Sequence, residues 1–133
     1  MPIVKNSKLY NFSRKIFFLT SAPLFKKIQV DVKTLNYFIK LNKVKKIDIL
    51  KIDCEGSEIN ILNSCKNNLK NIKIIYLEIL SEKNDWDKKF HKINSLLVKK
   101  NFELIKIKRI PEGSFLSTLK ICDVLYHNKD YKK

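Results

Sequence analysis

Asp53 and Glu55 sit at the end of the clearest β-pattern in the sequence, and a third carboxylate, Glu78, lies near the end of the next one. In an open parallel sheet, ligands bind beyond the carboxyl ends of the strands. Neighbouring strands run about 4.8 Å apart, so Asp53, Glu55 and Glu78 are expected to meet at one rim of the sheet. Like charges gathered there raise the pKa of one member or draw a cation between them. Two chemistries fit. One carboxylate can take a proton from a hydroxyl as it attacks an electrophile, or the three can hold a hard divalent ion that polarises the hydroxyl. The structural alternative has Glu55 capping the next helix and Asp53 anchoring the turn.

The remaining reactive side chains offer less. His91 lies on a charged helical stretch and reads as a surface residue; His127 ends the last apolar run and reads as structural. Cys54, Cys65 and Cys122 match neither a zinc spacing nor a disulfide framework. Cys65 and Cys122 fall inside apolar patterns and are expected in the core. Unpaired cysteines fit a reducing, cytoplasmic compartment. No nucleophile elbow and no Cys–His pairing is present, which argues against hydrolases.

The elements that must position the carboxylates follow from hydrophobic spacing. Residues 1–29 carry weak signals, with short strands conceivable at 9–12 and 16–19. Ile28, Val30 and Val32 alternate as a short strand would. Thr34 is a good N-cap for a helix through Leu35, Phe38 and Ile39. The run 47–53 is a strand whose near-continuous aliphatic character suits the interior of a parallel sheet. Gly56 marks the turn after it, and a helix from about Ser57 presents Ile59, Leu62, Cys65 and Leu69 on one stripe. A strand over 72–79 comes next. Then a helix over 85–100, capped by Asp85, buries Trp86, Phe90, Ile93 and Leu97. Strands at 102–110 and 119–127 finish the pattern, joined by a loop around Pro111 and Gly113. Alternation of strands and helices predicts an α/β fold with parallel crossovers and helices on both faces. The last two strands lack an intervening helix and should pair antiparallel. Three segments result: 1–29, the domain proper at 30–128, and a charged tail at 129–133.

The formal net charge is +15 and hydrophobic residues make up 44% of the chain, enough for a core. The charge would attract nucleic acid, an anionic membrane or a phosphorylated substrate. Against that, the lysines are scattered as pairs, Arg14 and Arg109 are the only arginines, and Lys, Asn and Ile dominate throughout. Compositional drift therefore accounts for the charge better than a nucleic-acid reader does. The apolar stretch 16–25 behind Lys5, Lys8, Arg14 and Lys15 is too short and interrupted to span a bilayer and lacks a small-residue cleavage site. It reads as a strand or loop, and no membrane partner is expected.

Val32-Lys33-Thr34-Leu35 and the block from Ile47 through Glu58, Ile-Asp-Ile-Leu-Lys-Ile-Asp-Cys-Glu-Gly-Ser-Glu, resemble the FkbM-type methyltransferase family. Leu62, the strand ending Tyr76-Leu77-Glu78, and Asn101-Phe102-Glu103-Leu104 after the last helix extend the likeness. It covers residues 30–127. The resemblance implies a Rossmann-like class I methyltransferase fold, S-adenosylmethionine as cofactor, and methylation of a hydroxyl on a sugar or small molecule. By match, Asp53 and Glu55 belong to the acceptor side of the cleft, with Glu78 beside them.

The cofactor side of such a fold should supply a first strand, a Gly-rich turn and an acidic residue after the second strand. The only glycines are Gly56 and Gly113. The sequence thus reads as the C-terminal, acceptor-side portion of the fold, without the cofactor-binding strands and inactive alone. Strand 47–53 would then present an open edge, covered by residues 9–28 or by a second copy in a homodimer. Two further readings stand beside the enzyme: an inactive remnant or binding module of the same fold, and, ranked last, a basic nucleic-acid-associated domain.

Overall fold

The computed structural model describes residues 28–109 and 118–132. The chain divides into two compact units, Met1–Asp31 and Val32–Lys133. The architecture below is that of the second. The weak strands read at 9–12 and 16–19, the apolar stretch 16–25 and the loop around Pro111 and Gly113 lie outside the described residues.

In chain order the elements are α1 (Leu35–Leu41), β1 (Ile47–Asp53), α2 (Glu58–Ser64), a 3-10 turn (Leu69–Asn71), β2 (Ile72–Glu82), α3 (Lys83–Val98), β3 (Phe102–Arg109) and β4 (Leu119–Asn128). The four strands form one mixed sheet in the order β1-β2-β4-β3. β1 and β2 are parallel. β4 runs antiparallel to both β2 and β3. The last strand therefore does pair antiparallel with β3, but it also inserts between β3 and β2. A β-bulge at Ile105 shifts the β3–β4 register between Leu104 and Lys106.

Thr34 caps α1 as its sequence predicts, its Oγ1 accepting from the Tyr37 N–H at 3.1 Å. The Ser64 hydroxyl accepts from Leu35 N at 3.3 Å and ties α1 to α2. The start of α3 differs from its expected place. Its N-cap is Glu82, which makes no side-chain cap bond, and Asp85 lies inside the first turn. The strand before it is longer than its aliphatic run, because pairing with β4 continues through Ser81 and Glu82. Ile28, Val30 and Val32 form no strand; they are exposed and in no regular element. Alternation marks a surface that could pair, but a strand forms only where a partner satisfies its backbone groups.

Both crossovers, β1–α2–β2 and β2–α3–β3, step the same way across the sheet, and right-handed connections put their helices on one face. There Leu62, Cys65 and Leu69 join Trp86, Ile93 and Leu97 over Ile52, Ile75, Leu77, Ile79, Val124 and Tyr126 in one core. Burying each such aliphatic side chain contributes about 1.5–3 kcal/mol. Two ring polar groups entering this core find partners. The Trp86 indole N–H donates to the Ile79 carbonyl at 3.1 Å, and the Tyr126 hydroxyl donates to Asn94 Oδ1 at 3.1 Å. Helices on both faces were expected; among the described residues they cover one. The strand expected to be interior, β1, stands at the edge of the four described strands.

Candidate functional site

The sheet's other face carries the chemistry. Register pairs across a sheet point to the same side. Asp53 is paired with Glu78 across β1 and β2. Glu78 is paired in turn with Asp123 on β4, and Asp123 with Lys108 on β3. One row thus crosses all four strands as Asp53, Glu78, Asp123, Lys108. One step back along the strands, a second row reads Lys51, Tyr76, Leu125, Lys106. Two of the three carboxylates expected to meet, Asp53 and Glu78, are therefore neighbours on one face. Asp123 completes the row and was missed, since nothing in the sequence says that β4 lies beside β2.

Each acid has its own surroundings. Asp53 accepts from the Lys51 ammonium at 3.0 Å, an exposed pair, and that bond raises the pKa of Lys51. The Glu78 carboxyl is raised by partial burial and then by the Asp53 and Asp123 carboxylates, with Lys51 opposing. The Tyr76 hydroxyl hydrogen-bonds Asp123, and this, with desolvation, pushes the phenol up to about 12. Glu78 is thus an acid whose charged form is disfavoured, flanked by carboxylates engaged by Lys51 and Tyr76. A carboxyl so placed can accept a proton from a hydroxyl or share one with it.

Glu55 stands apart. It is exposed and has φ 43°, and the following Gly56 has φ 117°. A non-glycine residue in the left-handed region costs about 1–2 kcal/mol, and such strain concentrates at functional loops. Neither structural role foreseen at this turn falls to the residue named for it. Asp53 is bound to Lys51 rather than to the turn. The carboxylate that serves the turn is Glu58, whose Oε1 accepts from the Gly56 N–H at 2.9 Å. Glu58 is completely buried, and its Oε2 has no hydrogen-bond donor at a good angle. Its neutraliser is the Lys89 ammonium, 2.6 Å away on α3. Lys89 also donates to the Leu80 carbonyl on β2 at 2.8 Å. This buried pair joins the 54–57 turn, α2, α3 and β2. Glu58 closes the sequence block quoted above, but its burial depends on α3 packing over it, which no local pattern reveals.

Asp53, Glu55 and Glu78 do not form the metal site considered for them. Among the described residues no three His, Cys, Asp or Glu side chains converge on a point that could hold a metal ion. Paired residues of a sheet project side by side rather than inward, and Lys51 already occupies Asp53. Cys54 is no ready nucleophile, because burial and then Glu58 push its thiol up. Cys65 and Cys122 are buried, as read from their apolar settings, and His91 is exposed.

Residues 5–104 match the methyltransferase FkbM domain model. The match starts well upstream of residue 30, where the likeness was first legible. None of the curated proteins matches the chain. Among solved structures, the crystal structure of wild-type Trm5b from Pyrococcus abyssi is similar with a TM-score of 0.47 and 16% identity, over 70% of this chain and 33% of that one. The chain thus spans about a third of the length of that protein. Among the described residues no helix is long and apolar enough to cross a membrane.

Proposed function

The chain belongs to the methyltransferase FkbM family, and from that premise we propose that its carboxylate row is the acceptor side of an S-adenosylmethionine-dependent O-methyltransferase. The acceptor on this reading is a hydroxyl of a sugar or small molecule. The sheet is the acceptor-side part of a Rossmann-like methyltransferase fold. The observation that carries the reading is the register pairing of Asp53 with Glu78 at the carboxyl end of β1, where α/β enzymes bind ligands. Glu78 receives the hydroxyl proton, its basicity raised by partial burial and by Asp53 and Asp123. Asp53, held by Lys51, orients the acceptor through its free oxygen. Tyr76 and the lysines Lys106 and Lys108 line the face beside them.

Family membership implies S-adenosylmethionine as the methyl donor. The described residues do not fit it. Gly56 is the one glycine among them, so they hold no Gly-rich turn that could cradle the cofactor. That observation favours a second reading, a binding module of the same fold that engages the hydroxyl compound without transferring a methyl group.

Two measurements decide. Calorimetric titration of the chain with S-adenosylmethionine should give no heat; tight binding would show that the chain holds the cofactor itself. Transfer of labelled methyl groups to a panel of sugars and small hydroxyl compounds, by the domain completed with a cofactor-binding half, then separates the enzyme reading from the module reading and tests the site. Glu78→Gln should lower turnover by about 10²–10⁴-fold, the usual contribution of a positioned acid or base. Undiminished transfer by that variant would remove Glu78 from the mechanism.

A further inference from the structure

The outer side of α3 carries a second feature that methyl transfer does not use. A groove of about 650 Å³ is lined by Lys66, Lys88, His91, Lys92, Ser95, Leu96, Lys99 and Lys100. Lys66 follows α2 and forms the opposite wall. Lys88, Lys92, Ser95 and Lys99 recur at helical spacing and make one stripe. At about 1.5 Å per residue, Lys92 lies about 6 Å beyond Lys88, and Lys99 about 10 Å further.

What sets these lysines apart from the chain's general lysine richness is that all five line one concave groove with no acid in its wall. Lys51, Lys89 and Lys120 each face a carboxylate within 4 Å, on Asp53, Glu58 and Asp87. Among the described residues, none of the five groove lysines forms an ion pair, and no acid lines the groove. Asp85 is the acid nearest to Lys88 along that side of the helix. A concave wall of one sign focuses the field and attracts counter-charge.

We propose that this groove binds the phosphodiester backbone of a nucleic-acid strand, without reading its sequence. The charges are strung over about 16 Å of helix, too long for one phosphate group and suited to successive ones. They are lysines, point charges without the planar fork that recognises particular bases. A membrane fits less well. Helices that lie on bilayers insert an apolar face, whereas Trp86, Ile93 and Leu97 are buried in the core and Val98 is the only large apolar side chain exposed on α3. Binding here is independent of the methyl-transfer reading.

The test is fluorescence anisotropy of labelled single-stranded oligouridylate with the full chain across a salt series. Five phosphate contacts predict a slope of log K against log salt of about −3.5. The variant K88Q/K92Q/K99Q should bind at least about tenfold more weakly, with the slope reduced by about 2. The control K40Q/K43Q/K45Q, which removes the same charge from exposed positions elsewhere, should bind as the parent does. On the unsubstituted protein, bound oligonucleotide should protect the groove lysines from acetylation ahead of Lys40, Lys43 and Lys45, as read by mass spectrometry. Equal losses in both variants, uniform protection, or displacement by phosphatidylserine-containing vesicles in preference to unlabelled RNA would each overturn the proposal.

Discussion

At the scale of single residues, Glu58 and Glu78 show opposite solutions to placing a carboxylate in this sheet. Glu58 is fully buried, and its charge is answered by Lys89 at 2.6 Å. Removing one partner of such a pair leaves an uncompensated buried charge, at a cost of about 3–5 kcal/mol. Lys89→Met should lose that much in urea denaturation, and Glu58→Leu in the Lys89→Met background should recover most of it. Glu78 is half-buried among other acids, so its proton is retained more readily in the folded protein than in the unfolded chain. Its folded pKa is raised above the ordinary 4.5. The stability linked to that proton is fully present below the unfolded value and is lost as pH climbs through the folded one. Glu78→Gln, which never ionises, should therefore raise the Tm near neutral pH and match the parent below about pH 4. A Tm gain confined to high pH, paired with loss of methyl transfer, would mark a carboxylate kept for chemistry at a cost in stability. Asp53 and Glu78 were legible in the sequence because each falls in an apolar run of strand length. Asp123 and Glu58 were not, because each takes its meaning from a neighbour far along the chain.

At the scale of elements, β2 organises the domain. Its parallel pairing with β1 and antiparallel pairing with β4 bury Ile72, Ile75, Leu77 and Ile79 completely. One side chain fastens this strand to the chain's end. Asn128 is buried and donates to the carbonyls of Ile72 at 2.9 Å and Lys70 at 3.2 Å. Its Oδ1 also accepts from Asp130 N at 3.0 Å. Asn128→Ala would leave two carbonyls where β2 begins without these donors, a loss of about 1–3 kcal/mol. The variant should unfold at correspondingly lower urea with an unchanged m-value. The helix stripes were readable because 3.6-residue periodicity survives in one dimension. The cap of α3 was not, because Glu82 becomes the boundary only through pairing with Leu119.

At the scale of the whole molecule, a formal charge of +15 on 133 residues is the dominant long-range fact. The ion pairs of Lys51 and Lys120 involve exposed carboxylates, whereas Glu58 is buried against Lys89. Self-repulsion should destabilise the compact state and be screened as the Debye length falls from about 30 Å at 0.01 M salt to about 8 Å at 0.15 M. A thermal melt should accordingly move to higher temperature over that range, whereas a protein held mainly by surface ion pairs would move down. The same field makes the groove on α3 a distinct place, since five lysines share one concavity with no acid in its lining.

By itself the amino-acid sequence determined the family block from Ile47 through Glu58, the order of strands and helices, and the stripes that become the core. These are local properties, written in spacing and side-chain type. The tertiary structure alone decided that β4 enters between β2 and β3, and with it that Asp123 joins Asp53 and Glu78. It likewise decided that Glu58 is buried against Lys89, and that the described helices share one face. Each of these depends on which segments meet in space. Strand order and cross-sheet register are set by the joint packing of distant residues, and no window along the chain contains both partners.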